Sequence, residues 1–488
     1  MTGPETTETL DPADWEAMRA LGHRAVDDAF DWLRSVRERP VWQPTPEAVL
    51  AQLRRPIPRE PEGAEKAYAD FVDLVLPYPM GNVHPRFWAW YMGNGTPLGA
   101  IGDFLAAIVN PNMAGGNHVA NHVESQVVDW CKEIVGLPPD AGGLLVSGGS
   151  MANLVGLTVA RNTATAVDVR ALGVRGLPAP LAFYTSAEAH SSIQKSVEML
   201  GLGSGALRKI PVNADFQIDV NALEKQIAAD RAAGSLPACV IGNAGTINTG
   251  AVDDLAALAG VCERQNLWFH VDGAIGAVVT LAPRRRGLVA GIERADSVAL
   301  DLHKWLHVPF EAGCALVRDR GAQRAAFALT PEYLAHAARG LASGPLWFSE
   351  FGPQLSRGFR ALKVWMSFKE HGLDKFGRLI DQNIDQAHEL AALVAARPEL
   401  EVAAPVVLNI VCFRYRPPTD DLAAGNAFNQ ELLVRLHESG IAAPSYTTLG
   451  GRYCLRAALP NHRTQSRDLE ILVEAVMSIG HALAAETA

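Results

Sequence analysis

The alternation of short apolar runs with helical patterns between residues 142 and 319 constrains the fold of this chain more than any other feature. The runs "GGLLVSGG", "LAFYTS" and "ACVIGNAG" precede the helical patterns "SMANLVGLTVAR", "AHSSIQKSVEML" and "VDDLAALAGVCERQ", and the strand-like runs "LWFHVD", "SVAL" and "GCALVRD" follow. Strands that alternate with helices are typical of βαβ units. The sequence therefore predicts an α/β domain built on a large, parallel-rich sheet.

The regions on either side have a different texture. Residues 1–80 are predicted to form an N-terminal helical arm. From about Asp385 onward, the strands "LNIVCFRY" and "RYCLRAAL" are separated by the helices "AFNQELLVRLHESG" and "DLEILVEAVMSIGHAL". We therefore expect a large domain over residues 81–384 and a smaller C-terminal α+β domain over residues 385–488.

Composition excludes several classes of function. The chain has 488 residues, of which 48% are hydrophobic and 20% charged, and no apolar run approaches the roughly 18 residues of a membrane span. The N-terminus "MTGPETTETL" lacks a secretion signal, and the six cysteines are scattered singly, which favours a reducing cytoplasm. The net charge of −10, without a basic block, argues against nucleic acid and favours a small-molecule substrate.

Ligands of open parallel sheets gather beyond the carboxyl ends of the strands, so polar residues that follow apolar runs are candidates. Residues 147–150, "SGGS", stand between a strand and a helix, where small residues and free N–H groups suit a phosphate. A serine N-cap in an ordinary strand–turn–helix is the alternative. His190 follows "YTSAEA", where an imidazole could cover a flat ring or serve a structural purpose.

Two ionisable residues end neighbouring strands. Asp272 terminates the apolar run "LWFHV", where a carboxylate needs a helix end, a salt bridge or a cationic ligand nitrogen as partner. Lys304 follows "SVAL" in "DLHKWL", and a partly buried amine there is a candidate nucleophile toward carbonyls. An anion cradle, an imidazole, a carboxylate and a lysine in this order describe a pocket for pyridoxal 5'-phosphate (PLP).

Five motifs carry a resemblance to a known family: "SGGSMANL", "TSAEAHSSIQKS", "HVDGAIGA", "DLHKWL" and "SRGFRALKVW". They resemble the group II pyridoxal-dependent decarboxylases, which include aromatic L-amino acid decarboxylase. The resemblance runs from about "NVHPRFWAW" to the C-terminus. It implies the aminotransferase-like fold (fold type I), PLP binding by residues 81–384, and a homodimer with its active sites at the subunit interface.

The resemblance also implies roles for individual residues around the cofactor ring. Lys304 matches the family lysine that binds PLP as a Schiff base. Asp272 matches the acid that pairs with the pyridine nitrogen and keeps it protonated. Ala274 matches the small residue under one face of the ring, and His190 matches the imidazole stacked on the other.

Further residues match positions around the phosphate and the 3'-oxygen. Gly149 and Ser150 match the phosphate-contacting pair, and Asp301 and His303 lie where the family adds further phosphate contacts. Many members have asparagine at the position of Asp301. A carboxylate beside a phosphate would repel it, which predicts a contact through water or a backbone amide. Thr246 in "GNAGTINTGAVDD" matches the threonine near the 3'-oxygen.

The implied reaction is decarboxylation of an L-amino acid to its amine and CO₂, which makes the protein a carboxy-lyase. The segment "TPEYLAHAARGLASG" resembles the mobile catalytic loop, and Tyr333 matches the tyrosine that protonates Cα. Members that make aldehydes typically lack this tyrosine or the stacking histidine, and both are present here. A PLP-dependent aromatic aldehyde synthase and a decarboxylase of non-aromatic amino acids remain the alternatives.

The substrate is indicated only by aromatic residues near position 90. Trp88, Trp90 and Tyr91 favour an aromatic amino acid, because stacked rings gain roughly 0.5–1.5 kcal/mol beyond burial. The same rings could equally belong to the core or to a dimer interface. Gly93 stands where relatives commonly have a threonine near the cofactor.

Two other classes of protein are weighed against this interpretation. His118 and His122 are spaced i, i+4, as in helical metal sites, but the glutamate of an HExxH motif is absent. We therefore predict no metal and assign both histidines to the substrate pocket or an interface. A non-catalytic binding protein is the other alternative. Arguing against it is the presence of four residues: Lys304, Asp272, His190 and Tyr333.

Overall fold

The computed structural model describes residues 8–329 and 336–487. Its β-strands are β1 (Phe87–Trp88), β2 (Gly142–Val146), β3 (Leu181–Ser186), β4 (Leu207–Ile210), β5 (Leu236–Asn243), β6 (Trp268–Asp272), β7 (Ser297–Asp301), β8 (Gly313–Val317), β9 (Leu400–Val402), β10 (Ile410–Tyr415), β11 (Ala443–Leu449) and β12 (Arg452–Ala458). Its α-helices are α1 (Trp15–Arg34), α2 (Glu47–Leu53), α3 (Ala64–Asp70), α4 (Pro97–Val109), α5 (Val119–Val135), α6 (Gly149–Thr163), α7 (Val169–Leu172), α8 (Ser191–Met199), α9 (Val220–Ala232), α10 (Leu255–Gln265), α11 (Arg320–Phe327), α12 (Arg360–His371), α13 (Leu373–Ala395), α14 (Leu422–Glu438) and α15 (Ser466–Thr487).

The larger sheet has the strand order β2-β8-β7-β6-β5-β3-β4. The pairs β3/β4, β3/β5, β5/β6 and β6/β7 are parallel, while β8 runs antiparallel to both β7 and β2. Helices such as α6 and α10 pack on this sheet, and β2, β3, β7 and β8 are buried along their whole length. Burial on both faces explains why these strands read as unbroken apolar runs.

The direction of β8 departs from the alternation that the sequence suggested. The connection from β7 to β8 consists only of residues 302–312 and contains no helix. A parallel strand needs a crossover of a dozen or more residues, so this shorter connection returns the chain antiparallel. Lys304 therefore lies on a short link that is held by a strand at each end.

A second, smaller sheet lies in the C-terminal part of the chain, with the order β1-β11-β12-β10-β9. Its strands β9 to β12 pair antiparallel, while β1 adds a parallel edge strand from far upstream. Trp88 of β1 and residues of α13, α14 and α15 form one apolar core with this sheet. α13 spans position 384, and β1 comes from within residues 81–384. The domain boundaries at residues 80 and 384 stay predictions.

The N-terminal residues that the structure describes form α1, α2 and α3. Asp14 caps α1 by accepting hydrogen bonds from the N–H groups of Glu16 and Ala17. Several large apolar side chains of α1 face solvent, among them Trp15 and Phe30. Within residues 8–329 and 336–487, no helix has both the length and the apolar character that crossing a bilayer requires.

Candidate active site

The candidate site lies at the carboxyl edge of the larger sheet. The register pairs Asn243 with Asp272, and Asp272 with Ala299, so β5, β6 and β7 end close together. Beyond these ends lies a cavity of about 390 Å³. This is the place where open α/β sheets bind their ligands.

Nine of the residues selected from the sequence line this cavity: Gly149, Ser150, His190, Thr246, Asp272, Ala274, Asp301, His303 and Lys304. Tyr333 lies outside the described residues, so its position stays a prediction. Residues that the sequence did not single out also line the cavity, notably Asn153, Ser192, Asn243, Phe310 and Glu311.

The N-terminus of α6 points into the cavity and forms an anion cradle. Gly148 occupies the N-cap position, and no side chain among the described residues caps this helix. The first N–H groups of α6 are therefore free to bind an anion. A Cβ atom at Gly149 would lie 2.8 Å from the Cβ of Ala274 and 2.9 Å from Asp301 Oδ2. The cradle thus requires glycine for close approach.

Lys304 is held by an ion pair rather than left free. Its Nζ lies 2.9 Å from Asp301 Oδ2, and Asp301 is 3% exposed. Asp301 Oδ1 has no hydrogen-bond partner among the described residues and lies 3.8 Å from His303 Nε2. The lysine ammonium therefore offsets the carboxylate charge beside the anion cradle. A contact of Asp301 with the phosphate through water or a backbone amide stays a prediction.

His303 presents a proton toward the cradle. Its Nδ1 accepts a hydrogen bond from the N–H of Ala312 at 3.0 Å, so the ring proton is on Nε2. Burial lowers the pKa of His303, and the Asp301 carboxylate opposes this shift. A neutral imidazole with Nε2–H beside Gly148 is a hydrogen-bond donor for an anion.

Asp272 is buried and oriented by two donors. Its Oδ1 accepts from the N–H of Ala274 at 3.2 Å, and its Oδ2 accepts from Asn153 Nδ2 at 3.1 Å. Asn153 lies one turn after Ser150 on the same face of α6, so helical spacing in "SGGSMANL" was the signal that could have identified it.

His190 caps α8 with its own ring. The backbone N–H of Ser192 donates to His190 Nδ1 at 3.2 Å, and Ser192 Oγ lies 2.8 Å from the same atom. Nδ1 is therefore the acceptor and Nε2 carries the proton. Desolvation lowers the pKa of His190, and the nearby Asp272 carboxylate opposes this shift. The ring is thus neutral and exposed to the cavity.

Thr246 lies in the loop after β5. It is 1% exposed, and its Oγ1 lies 3.2 Å from Thr249 Oγ1. Its backbone N–H is bound by the carbonyl of Ala251 at 2.8 Å. Contacts within its own loop therefore fix the threonine at the cavity wall. Its hydroxyl can still take a second partner.

Gly93 packs directly against the link that carries Lys304. A Cβ atom at position 93 would lie 1.9 Å from the carbonyl oxygen of His303 and 2.7 Å from that of Lys304. A threonine does not fit there without a backbone shift. The difference from relatives is therefore part of how this chain packs its lysine link.

The aromatic residues near position 90 have different environments. Trp88 is 1% exposed and donates from Nε1 to Thr464 Oγ1, and Tyr91 is 5% exposed and bonded to Asn409. Both therefore belong to the core, whereas Trp90 is 54% exposed. None of the three lines the cavity.

His118 and His122 lie at the start of α5, outside the cavity lining. The Nε2 of His118 lies 3.1 Å from the side-chain amide of Asn121, while His122 is exposed. Among residues 8–329 and 336–487, no group of three or more metal-ligating side chains comes together.

The residues present fit PLP. The uncapped helix and Gly149 suit its phosphate, Lys304 suits its aldehyde, and the buried acceptor Asp272 suits its pyridine nitrogen. This site, at the carboxyl edge of a parallel-rich sheet, defines the class of the protein: a PLP-dependent enzyme of fold type I.

Comparison with known proteins identifies the family. The pyridoxal-dependent decarboxylase conserved domain matches residues 46–416. The chain therefore belongs to the pyridoxal-dependent decarboxylase family and is a carboxy-lyase whose cofactor is PLP.

Individual relatives cover nearly the whole chain. The aromatic-L-amino-acid decarboxylase of Bacillus atrophaeus is 36% identical over 462 residues, which is 93% of each protein. The phenylacetaldehyde synthase of Arabidopsis thaliana is 29% identical over 476 residues, 95% of this chain and 96% of its own. A crystal structure of Oryza sativa TDC with PLP and tryptamine has a TM-score of 0.89 and 26% identity, and covers 98% of this chain and 100% of that one.

Proposed function

We propose that this protein converts an aromatic L-amino acid to its amine and CO₂, using the cavity residues in the roles that follow. The observation that carries this proposal is the grouping of Lys304, Asp272 and His190 around one cavity beside an uncapped helix N-terminus. The aromatic substrate is supported by the 36% identity to an aromatic-L-amino-acid decarboxylase.

Each cavity residue has a role that its contacts support. PLP, when bound, supplies an aldehyde that captures amines and a ring that accepts the electron pair left by the departing carboxylate. Lys304 would hold the cofactor covalently through its amine, which the substrate amine would replace. Asp272, oriented by Ala274 and Asn153, would hold a proton on the pyridine nitrogen. His190 covers one face of the ring, and Ala274 leaves room at the other.

The phosphate is assigned to the cradle and the residues that face it. Gly149 and Ser150 offer backbone N–H groups, and His303 offers Nε2–H. Asp301 is assigned an indirect role at the edge of the cradle, because its Oδ2 faces Lys304 Nζ at 2.9 Å and a carboxylate in direct contact would repel the phosphate. Thr246 is assigned to the 3'-oxygen, with its hydroxyl as donor or acceptor.

The substrate class is tested by measuring CO₂ release from a panel of amino acids. We expect tryptophan, tyrosine or phenylalanine to be turned over with a higher kcat/KM than glutamate, cysteine sulfinate or 2,4-diaminobutyrate. Amine should appear in equal amount to CO₂, without oxygen uptake. A preference for an acidic or basic amino acid would contradict the aromatic assignment but not the decarboxylase.

Tyr333 is proposed as the acid that protonates Cα. If so, Tyr333→Phe removes only a hydroxyl, and CO₂ release continues while delivery of the proton slows by about 10²–10⁴-fold. The electron pair left at Cα would then be open to two-electron oxidation by O₂, which becomes H₂O₂, and hydrolysis by water would give aldehyde and ammonia. We therefore expect less amine, with aldehyde, ammonia and H₂O₂ formed and O₂ consumed. Amine, aldehyde and oxygen should be measured together in a single turnover.

His190→Phe is the comparison variant for Tyr333→Phe. Phenylalanine keeps an aromatic ring at the cavity but has no N–H that could protonate Cα. Normal amine yield in Tyr333→Phe, without oxygen uptake, would contradict the assignment of Tyr333. If amine is lost only in His190→Phe, the imidazole of His190 rather than Tyr333 is the group that protonates Cα.

We also propose that the protein is a homodimer with its active sites at the subunit interface. Four large apolar side chains on one side of α4 are exposed, Phe104, Leu105, Ile108 and Val109. An exposed apolar patch of this kind marks an interaction surface, and a second copy is the partner that the family resemblance implies. Sedimentation should give a dimer that Ile108→Glu weakens; a monomeric wild-type protein would contradict this.

A cytoplasmic location is proposed on the state of the cysteines. All six are free and buried: Cys131, Cys239, Cys262, Cys314, Cys412 and Cys454. Thiols persist in this form in reducing compartments. Fractionation of the native cells should recover the activity with cytoplasmic markers, and recovery with secreted or periplasmic material would contradict the proposal.

A further inference from the structure

A line of hydrogen bonds runs along β6 and ends on Asp272. Trp268, His270 and Asp272 alternate along this strand, so their side chains lie on the same face of the sheet. Trp268 Nε1 lies 2.8 Å from Ser297 Oγ, and Ser297 Oγ lies 2.8 Å from His270 Nδ1. His270 Nε2 lies 2.9 Å from Asn153 Oδ1, and Asn153 Nδ2 lies 3.1 Å from Asp272 Oδ2.

The two ends of this line fix the direction of every bond in it. An indole N–H can only donate and a carboxylate can only accept. Ser297 therefore accepts from Trp268 and donates its own proton to His270 Nδ1. His270 then carries its proton on Nε2 and donates to Asn153 Oδ1, which leaves the Asn153 amide to donate to Asp272. The opposite tautomer of His270 would place two acceptors 2.9 Å apart.

The middle of the line is held in a dry environment. His270 and Ser297 are both 0% exposed, and burial lowers the pKa of His270 to about 3, so its ring is neutral. A Cβ atom at Gly156 of α6 would lie 2.8 Å from His270 Cε1 and Nδ1, so the helix backbone clamps the ring. Hydrogen bonds in such surroundings polarise one another and strengthen along the chain.

Asn153 has a second branch that reaches the other side of the cavity. Its Nδ2 also donates to Ser192 Oγ at 3.2 Å, and Ser192 Oγ bonds His190 Nδ1. The same amide therefore orients both Asp272 and the hydroxyl that fixes the tautomer of His190. The charged groups that act on His190 are Asp272, Lys304 and Asp301 from neighbouring elements and Lys195 from α8 itself.

We propose that Trp268, Ser297, His270 and Asn153 form a one-way relay of hydrogen-bond donors that orients the Asp272 carboxylate toward the pyridine nitrogen. All four are positioning residues, because they act through Asp272 rather than by touching substrate. The proposal rests on the role of Asp272 proposed above. The proposal also assigns Asn153 a second role: its amide orients the Ser192 hydroxyl, which in turn fixes the tautomer of His190.

The relay is tested in substrate-free holoenzyme by the pH titration of cofactor absorbance and by the dissociation constant of PLP. His270→Phe keeps a buried ring but no donor, and we expect a shifted titration midpoint with PLP binding weaker by about 10-fold. His270→Gln keeps an N–H that can reach Asn153, and it should restore most of both. Trp268 is the relay residue farthest from Asp272. Trp268→Phe should therefore shift the titration midpoint and the PLP affinity in the same direction as His270→Phe, but by a smaller amount.

Thr158→Val is the matched control, because Thr158 of α6 is buried and, among the described residues, its hydroxyl bonds only the carbonyl of Leu154. It should leave both measurements unchanged. If His270→Phe does not fold, Trp268→Phe and Asn153→Ser decide the question. Folded relay variants with the wild-type midpoint and affinity would overturn the relay. Persistence of the cofactor's visible absorbance in Lys304→Ala would instead overturn the proposed site itself.

Discussion

Replacing Lys304 with alanine is expected to abolish CO₂ release and to remove the visible absorbance of the covalently bound cofactor. Among the residues that the structure describes, Lys304 is the lysine that lines the cavity. The side chain of alanine cannot form an imine. PLP is then held only by the cradle and by Asp272, so its affinity should fall as well. Absorbance of the purified protein, before and after borohydride treatment, measures the covalent bond directly.

Two further variants separate chemistry from folding. Lys304→Ala strands the buried Asp301 carboxylate, which loses its partner at 2.9 Å, whereas Lys304→Arg keeps a positive charge there but cannot form an imine. Both should be inactive, and Lys304→Arg should have the higher melting temperature. Lys225→Ala removes an exposed lysine of α9 and should behave as the wild type. Turnover in either Lys304 variant would refute the assignment.

Asp272→Asn is expected to bind PLP but to decarboxylate on the order of 10²- to 10³-fold more slowly. An uncharged amide cannot hold a proton on the pyridine nitrogen, so the ring becomes a poor acceptor of electrons. Asparagine also places an NH₂ group against one of the two donors, Ala274 N–H and Asn153 Nδ2, that the carboxylate now accepts. Single-turnover CO₂ release gives the rate of the chemical step.

The control for Asp272→Asn is another buried carboxylate outside the cavity. Asp253 is 2% exposed and accepts bonds from the N–H groups of Ile218 and Asn243. Asp253→Asn should lower the melting temperature while leaving the single-turnover rate of CO₂ release unchanged. Equal rates for Asp272→Asn and the wild type would show that the carboxylate has no electronic role.

The strands of the larger sheet were predictable because both of their faces are buried. "LAFYTS" coincides with β3, and "SVAL" with β7 except for its last residue, since a strand covered by helices on both sides must be apolar throughout. The short strands β1, β4 and β9 carry no such signal and were missed. The apolar pattern of β8 also does not predict its direction. The direction depends on the length of the connection between β7 and β8 rather than on the residues of the strand.

The site was predictable to the extent that it follows strand ends. Asp272 and Lys304 stand directly after apolar runs, so the sheet topology brings them together without any knowledge of side-chain contacts. Asn153 and Ser192 were missed because their importance comes from single hydrogen bonds between α6, α8 and β6. Trp88 and Tyr91 could not be separated from Trp90 by sequence, since burial alone distinguishes them.

The edge strand β1 has a consequence for synthesis of the chain. Phe87 and Trp88 pair with Ala443 and Pro444, and Trp88 donates to Thr464. Residues 87 and 88 leave the ribosome long before their partners exist, so the smaller sheet is completed only when almost the whole polypeptide has been made. Until then an unpaired strand edge and a bare indole are exposed to other nascent chains. Because β1 can pair with β11 only late in synthesis, the indole of Trp88 is buried in the full-length chain but not in an N-terminal fragment.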